Sequence, residues 1–236
     1  MPDLAPTVDG TLARFNQSSW ANAREGTSAT NTFVTSTRIS TAIQATKQAA
    51  RGGGTSYHVY RAFFEFDTSG ISATPQDATL KIYGFATNVA DFFVVKADTA
   101  TDGALVSADF DAIAGWNNSA DNSSNVTKYS SEVTSWSASG YNNIALNSTA
   151  LADMRDDGVI KFCLIESTKD LTNTEPTTTI SSGIYFQESS GTSFDPGLTY
   201  TEAATGYGND VIGVASANIG KVNGVATANI EKVNGV

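Results

Sequence analysis

Apolar and polar residues alternate most legibly in Tyr57-His-Val-Tyr-Arg-Ala-Phe-Phe-Glu-Phe-Asp67, where Tyr60, Ala62, Phe64 and Phe66 recur at every second position. Neighbouring side chains of a strand point to opposite faces, so this run predicts a strand with one apolar face. The same two-residue period recurs in Ala78, Leu80 and Ile82, in Ile144 and Leu146, in Ile184 and Phe186, and in Leu198 and Tyr200. Phe92-Phe-Val-Val95 and Ile160-Lys-Phe-Cys-Leu-Ile165 are apolar enough to lie in the middle of a sheet. Phe33-Val-Thr-Ser-Thr-Arg-Ile39 is β-branched and reads as a further strand, whereas the Ala-rich stretch Ile43 to Ala50 is ambiguous and Arg51-Gly-Gly-Gly-Thr55 is a break. One helix interrupts the pattern: Asn147 or Ser148 can cap Thr149-Ala-Leu-Ala-Asp-Met-Arg-Asp156, Gly158 can end it, and Leu151 and Met154 share the face that would pack on a sheet.

Short strands joined by polar turns such as Thr101-Asp-Gly103 and the Asn/Ser-rich segment 117–125 predict an all-β fold, a β-sandwich over residues 31–205. Residues 1–30 lack sustained periodicity and read as an N-terminal arm. Residues 206–236 form a tail in which Val214-Ala-Ser-Ala-Asn-Ile-Gly-Lys-Val-Asn-Gly224 is followed by Val225-Ala-Thr-Ala-Asn-Ile-Glu-Lys-Val-Asn-Gly235, identical at nine of eleven positions. A short unit cannot bury its own apolar side chains, so tandem units stack on one another or on neighbouring subunits. The Asn-Gly pairs fit tight turns between short strands, and the three-residue spacing of Ile219 and Val222, and of Ile230 and Val233, fits helical turns ending at Gly; Ile219, Val222, Val225, Ile230 and Val233 are the expected assembly residues in either case. A flexible linker is the bland alternative.

The series Arg61-Ala-Phe-Phe-Glu-Phe-Asp-Thr-Ser-Gly-Ile71, Ala78-Thr-Leu-Lys-Ile-Tyr83, Ile144-Ala-Leu-Asn147 with its helix, Lys161-Phe-Cys-Leu-Ile165 and Pro196-Gly-Leu-Thr-Tyr200 resembles the DNRLRE-type jelly-roll domain, a relative of carbohydrate-binding modules, over about residues 30–202. The eponymous motif itself is absent. The tail units resemble the Ala-Asn-Ile-x-Lys-Val-Asn-Gly-Val spacers of structural proteins of marine tailed phages, over residues 211–236. These resemblances imply a virion structural protein, such as a head decoration, a fibre or a tail appendage, that assembles with copies of itself and with other virion proteins. A carbohydrate-binding adhesion module that reaches host-surface glycans, or a subunit of an extracellular filament, are the alternatives.

Composition narrows the partners. With 24 acidic against 14 basic residues the formal net charge is -10, a field that repels nucleic-acid phosphates and anionic membranes. The start, Met1-Pro-Asp-Leu-Ala-Pro, has neither a basic n-region nor an apolar h-region, so no export signal is expected and synthesis in a host cytoplasm fits. The lone cysteine, Cys163, sits in an apolar run and reads as a buried hydrophobe. The lone histidine, His58, accompanies no strained nucleophile turn, so a Ser-His-Asp arrangement is not expected, and one His with one Cys cannot close a zinc site. Asp153, Asp156 and Asp157 crowd a helix end where a cation would be welcome, and the loops at 98–103 and 121–125 resemble calcium loops only loosely. No catalytic residue, metal or cofactor is therefore expected. The remaining candidates are Trp116, Tyr129, Trp136 and Tyr141 in the Ser/Asn-rich half of the chain, where a sugar-binding sandwich would display flat rings; core packing is the competing fate of such rings.

Overall fold

The computed structural model of the chain describes residues 3–88, 90–187, 193–202, 221–222 and 225–226. Its strands are β1 (Asp3–Leu4), β2 (Val8–Gln17), β3 (Asn31–Phe33), β4 (Arg38–Ala49), β5 (Thr55–Asp67), β6 (Asp77–Asn88), β7 (Phe92–Lys96), β8 (Tyr141–Ala145), β9 (Val159–Glu166), β10 (Thr179–Tyr185), β11 (Gly197–Thr201), β12 (Lys221–Val222) and β13 (Val225–Ala226). Two helices, α1 (Trp20–Arg24) and α2 (Ser148–Asp156), and a 3-10 turn at Ser107–Asp111 complete the set. Residues 1–201 form one compact unit and 202–236 another. The fold of the first is an all-β, antiparallel sandwich.

Strand β5 organises this unit because it carries neighbours on both edges along its whole length. One edge pairs with β2 between Tyr57 and Glu65. The other pairs with β4 from Thr55 to Tyr60 and with β9 from Ala62 to Asp67, so the hydrogen-bonded sheet forks at Arg61. On one branch β4 leads through β10 to β6, whose first half carries β11 and β8; on the other, β9 leads to β7. The two branches face one another across a core that includes Phe64, Phe66, Leu80, Ile82, Phe162, Leu164, Ile184 and Leu198.

A second core lies on the opposite face of β2, β5, β9 and β7. There Leu12, Val59, Phe63, Val95, Cys163 and Ile165 are covered by Trp20 and Ala23 of α1, by Phe110 of the 3-10 turn, and by Ile113 and Val126 of the following connection. The alternation in β5 thus does not divide apolar from solvated. Phe64 and Phe66 point into one core, Val59 and Phe63 into the other, and burial of both faces is the reason residues 162–165 of β9 are apolar at four successive positions.

Several expectations are corrected. Residues 1–30 are not an arm: β2 is an internal strand between β5 and β3, with Leu12 and Ala13 fully buried, and α1 packs beside it. Its short Ala, Thr and Asn side chains hide the period that a strand flanked on both edges does not need in order to pair. The stretch 33–39 is divided between β3 and β4, and the ambiguous Ile43–Ala50 lies largely within β4. A second helix, α1, joins the single one expected; Ser19 caps it by accepting from Asn22 N. Helix α2 follows its sequence signals, since Asn147 Oδ1 accepts from Thr149 N and Ala150 N at 3.1 Å, Gly158 adopts φ +70°, and Leu151 and Met154 are buried.

In the second unit Lys221 pairs with Ala226 and Val222 with Val225, antiparallel, so the short-strand alternative holds at these four positions. The expected assembly residues Ile219, Ile230 and Val233 lie outside the described residues. No helix among the described residues is long and apolar enough to cross a membrane.

Phe162 packs between Phe66 and Tyr129, with ring centroids 5.8 Å from each. Truncation of a fully buried aromatic removes its transfer energy and leaves a cavity, so Phe162→Ala is expected to cost about 3–5 kcal/mol in urea denaturation, with an unchanged far-ultraviolet β signal before the transition.

Candidate functional site

Ionisable groups are unusually frequent inside the first unit, and what each one touches decides whether it is available for chemistry. Arg61 is fully buried and donates from Nε to Asp170 Oδ2 at 2.8 Å and from Nη2 to Asp170 Oδ1 at 2.7 Å. Arg24, equally buried, donates from Nε to the Asp170 carbonyl at 2.6 Å, and from its other nitrogens to the carbonyls of Asn118 and Ala120. The Trp116 ring lies under both guanidiniums, with centroid distances of 4.5 Å to Arg24 and 4.2 Å to Arg61. Burial pushes the Arg24 guanidinium down to about 10, against the opposing pull of Asp170. The two guanidiniums are hydrogen-bonded to neighbours that hold loops onto the sheet, whereas Trp116 Nε1 is buried without a hydrogen-bond partner among the described residues.

The buried carboxylates are engaged in the same way. Glu65 accepts from Thr99 Oγ1 and from Gly103 N, both at 2.7 Å. Asp109 accepts from Val106 N at 2.8 Å, and Glu166 from the backbone of Thr168, Lys169 and Asp170. Burial pushes the Glu166 carboxyl above its ordinary value although these bonds favour its charge. Cys163 is buried and its thiol is pushed far up by desolvation, the opposite of an activated nucleophile. His58 Nε2 lies 2.8 Å from Gln48 Nε2 and 3.1 Å from Ser56 Oγ, within hydrogen-bonding distance of both. Burial lowers the His58 pKa, and no carboxylate hydrogen-bonds to the ring among the described residues.

Two surface clefts are formed by described residues. The larger, of about 500 Å³, is lined by Lys96, Asp98, Asp102, Asp156, Asp157 and Lys161. Its cations are all paired with aspartates: Lys96 Nζ lies 3.0 Å from Asp153 and 2.9 Å from Asp157, Lys161 lies 2.7 Å from Asp102, and Arg155 clasps Asp156. The cation called for by the acidic end of α2 is thus a lysine, and no group of three or more metal-ligating side chains converges among the described residues. The smaller cleft, of about 390 Å³, lies between residues 131–135 and β8 and includes Tyr141 in its lining.

The four aromatic candidates separate on these grounds. Tyr129 is fully buried, with its hydroxyl donating to Asp153. Trp116 is occupied by the two arginines, and Trp136 packs edge to face on Phe92 at the margin of the first core. Tyr141 alone has a substantially open ring, 38% exposed. It borders a surface cluster of Tyr83, Phe85, Tyr185 and Phe194, in which Phe194 lies 4.4 Å from Tyr83 and 4.8 Å from Tyr185. Arg38 sits over Phe85 at 4.4 Å and Lys81 over Tyr141 at 5.4 Å. Tyr83 and Phe85 could have been found by the phase of β6, since they fall opposite Leu80 and Ile82. Tyr185 joins them only through the β6–β10 pairing, and Phe194 only through the segment that leads into β11, which also pairs with β6.

No protein-family model matches the chain, and no curated protein matches it.

Two measurements check these assignments. Asp170→Ala leaves two buried guanidiniums without their carboxylate and is expected to cost about 3–5 kcal/mol in chemical denaturation. Because the folded pKa of His58 lies below its unfolded value near 6.5, the neutral ring contributes stability that is present above about pH 6.5 and is lost as pH falls toward the depressed folded value. The melting temperature of the natural chain should therefore drop more between pH 7 and pH 5 than that of His58→Gln.

Proposed function

We propose that this chain is a non-enzymatic structural protein of a tailed-phage particle, a surface component such as a head decoration, a fibre or a tail appendage, held by contacts with its own copies or with the shell. The observation that carries this reading is the tail. Lys221–Val222 and Val225–Ala226 pair there as two short antiparallel strands, and the eleven-residue unit is repeated almost unchanged in the sequence. A two-stranded hairpin of this length is marginal in water by itself, and repeated units gain stability from neighbours that cover them. Consumption of the buried ionisable groups by loop-anchoring hydrogen bonds supports a structural role for the sandwich, and the resemblance of residues 211–236 to phage spacers supplies the context.

A carbohydrate-binding role, as the adhesive face of such a component, is a second reading. It is favoured by the open ring of Tyr141 beside a polar cleft.

Deleting residues 211–236 is expected to convert an oligomer of the full chain to a monomer in light scattering coupled to size exclusion, with the far-ultraviolet spectrum of the sandwich retained. An unchanged assembly state refutes the role given to the tail.

A further inference from the structure

The cleft beside Tyr141 is built by a hairpin whose strands part and rejoin. At one end Ser130 bridges to Leu146. At the other, the Asn142 side chain clamps Ser137, its Oδ1 accepting from Ser137 N at 2.8 Å and its Nδ2 donating to Ser137 O at 3.0 Å. Gly84 permits this clamp, because a Cβ there would run into the Ser137 carbonyl oxygen. Between the two closures, residues 131–135 turn toward β7, where Val133 bridges to Phe92, while β8 stays with β6. The gap therefore has fixed margins, and the edge of β8 away from β6 has no strand partner among the described residues.

The lining of this gap differs from that of the charged cleft near α2. Ser131, Glu132, Ser135 and Asn143 are exposed, and their side chains make no hydrogen bonds with other described residues, whereas both lysines of the other cleft are held by aspartates. Tyr141 is held rigidly at the margin: its hydroxyl donates to Asp195 O at 3.1 Å, and its ring meets Tyr83 edge to face at 5.2 Å. A fixed aromatic ring beside uncommitted hydroxyl, amide and carboxylate groups offers stacking to an apolar face and hydrogen bonds to a polar rim. A volume of about 390 Å³ is in the range of small-molecule sites.

We infer that this gap is a subsite for a neutral saccharide, with Tyr141 packing against the sugar ring and Asn143, Glu132, Ser131 and Ser135 bonding its hydroxyls. The inference rests on the carbohydrate-binding reading and gives that reading a place and a ligand class. A carboxylate in the lining and a net charge of -10 select against sialylated or sulfated sugars, whose charge would be placed next to Glu132. Hydroxyl pairs of a neutral sugar are instead good donors to that carboxylate.

The test uses the full chain in saturation-transfer and chemical-shift NMR titrations with lactose, maltose, cellobiose and sialyllactose. Binding of at least one neutral disaccharide is expected, weaker for sialyllactose, with affinity reduced about tenfold by Asn143→Ala and by Tyr141→Ala. Asn143→Ala keeps the outcome readable, because that side chain is exposed and takes no part in holding the fold. Binding of a neutral sugar that both variants leave unchanged overturns this subsite while sparing the broader carbohydrate reading. Failure of every sugar to bind the folded chain overturns both, and a preference for sialyllactose overturns the assignment of a neutral ligand.

Discussion

Beneath the fork of β5, one carboxylate serves two guanidiniums. Removing Arg61 and Arg24 from water is tolerable only because Asp170, the Trp116 ring and a set of backbone carbonyls replace the lost hydration, and each replacement comes from a different part of the chain. Asp170 follows β9, Trp116 belongs to the long connection before β8, Arg24 ends α1, and the Phe110 carbonyl that accepts from Arg61 at 2.8 Å belongs to the 3-10 turn. An unpaired buried charge costs several kcal/mol, so these four segments must close together. Their closure turns the outer face of β2, β5 and β9 into a second core and leaves the sandwich with an additional irregular layer.

That layer explains why so many candidate groups have no chemistry to offer. A connection as long as the one between β7 and β8 lacks a ladder to satisfy its backbone; Glu65 and Asp109 supply acceptors there, and Glu166 does so for the turn after β9. The carboxylates are buried because the loops need them. Groups left for partners are accordingly found where the second layer ends, on the β8 side of the sandwich, where a polar gap and a cluster of tyrosines and phenylalanines stay in contact with water.

The strands of the first core were legible because a face buried on one side forces a two-residue period, as in Leu80 and Ile82 or in Leu198 and Tyr200. Helix α2 was legible because its cap, its stop and its apolar pair are all local. Strand β2 was not, since its five successive buried positions, Asp9 to Ala13, mix polar and apolar residues and so carry no two-residue period. Among the aromatic candidates, nothing near Trp116 in sequence tells that two arginines from distant segments converge on it. Tyr129 and Tyr141 stand in similar Ser/Asn-rich surroundings, yet one is fully buried and the other open.

By itself the sequence determined that this is an antiparallel β protein with one capped helix, a repetitive tail and a strongly acidic balance, because period, capping and charge are properties of neighbouring residues. Only the tertiary structure decided that the sheet forks at Arg61, that a second core lies behind it, and which polar groups remain uncommitted. Those outcomes depend on pairings between residues up to more than a hundred positions apart, such as Arg61 with Asp170. The free energy of burying a charge is settled by the groups that surround it in space.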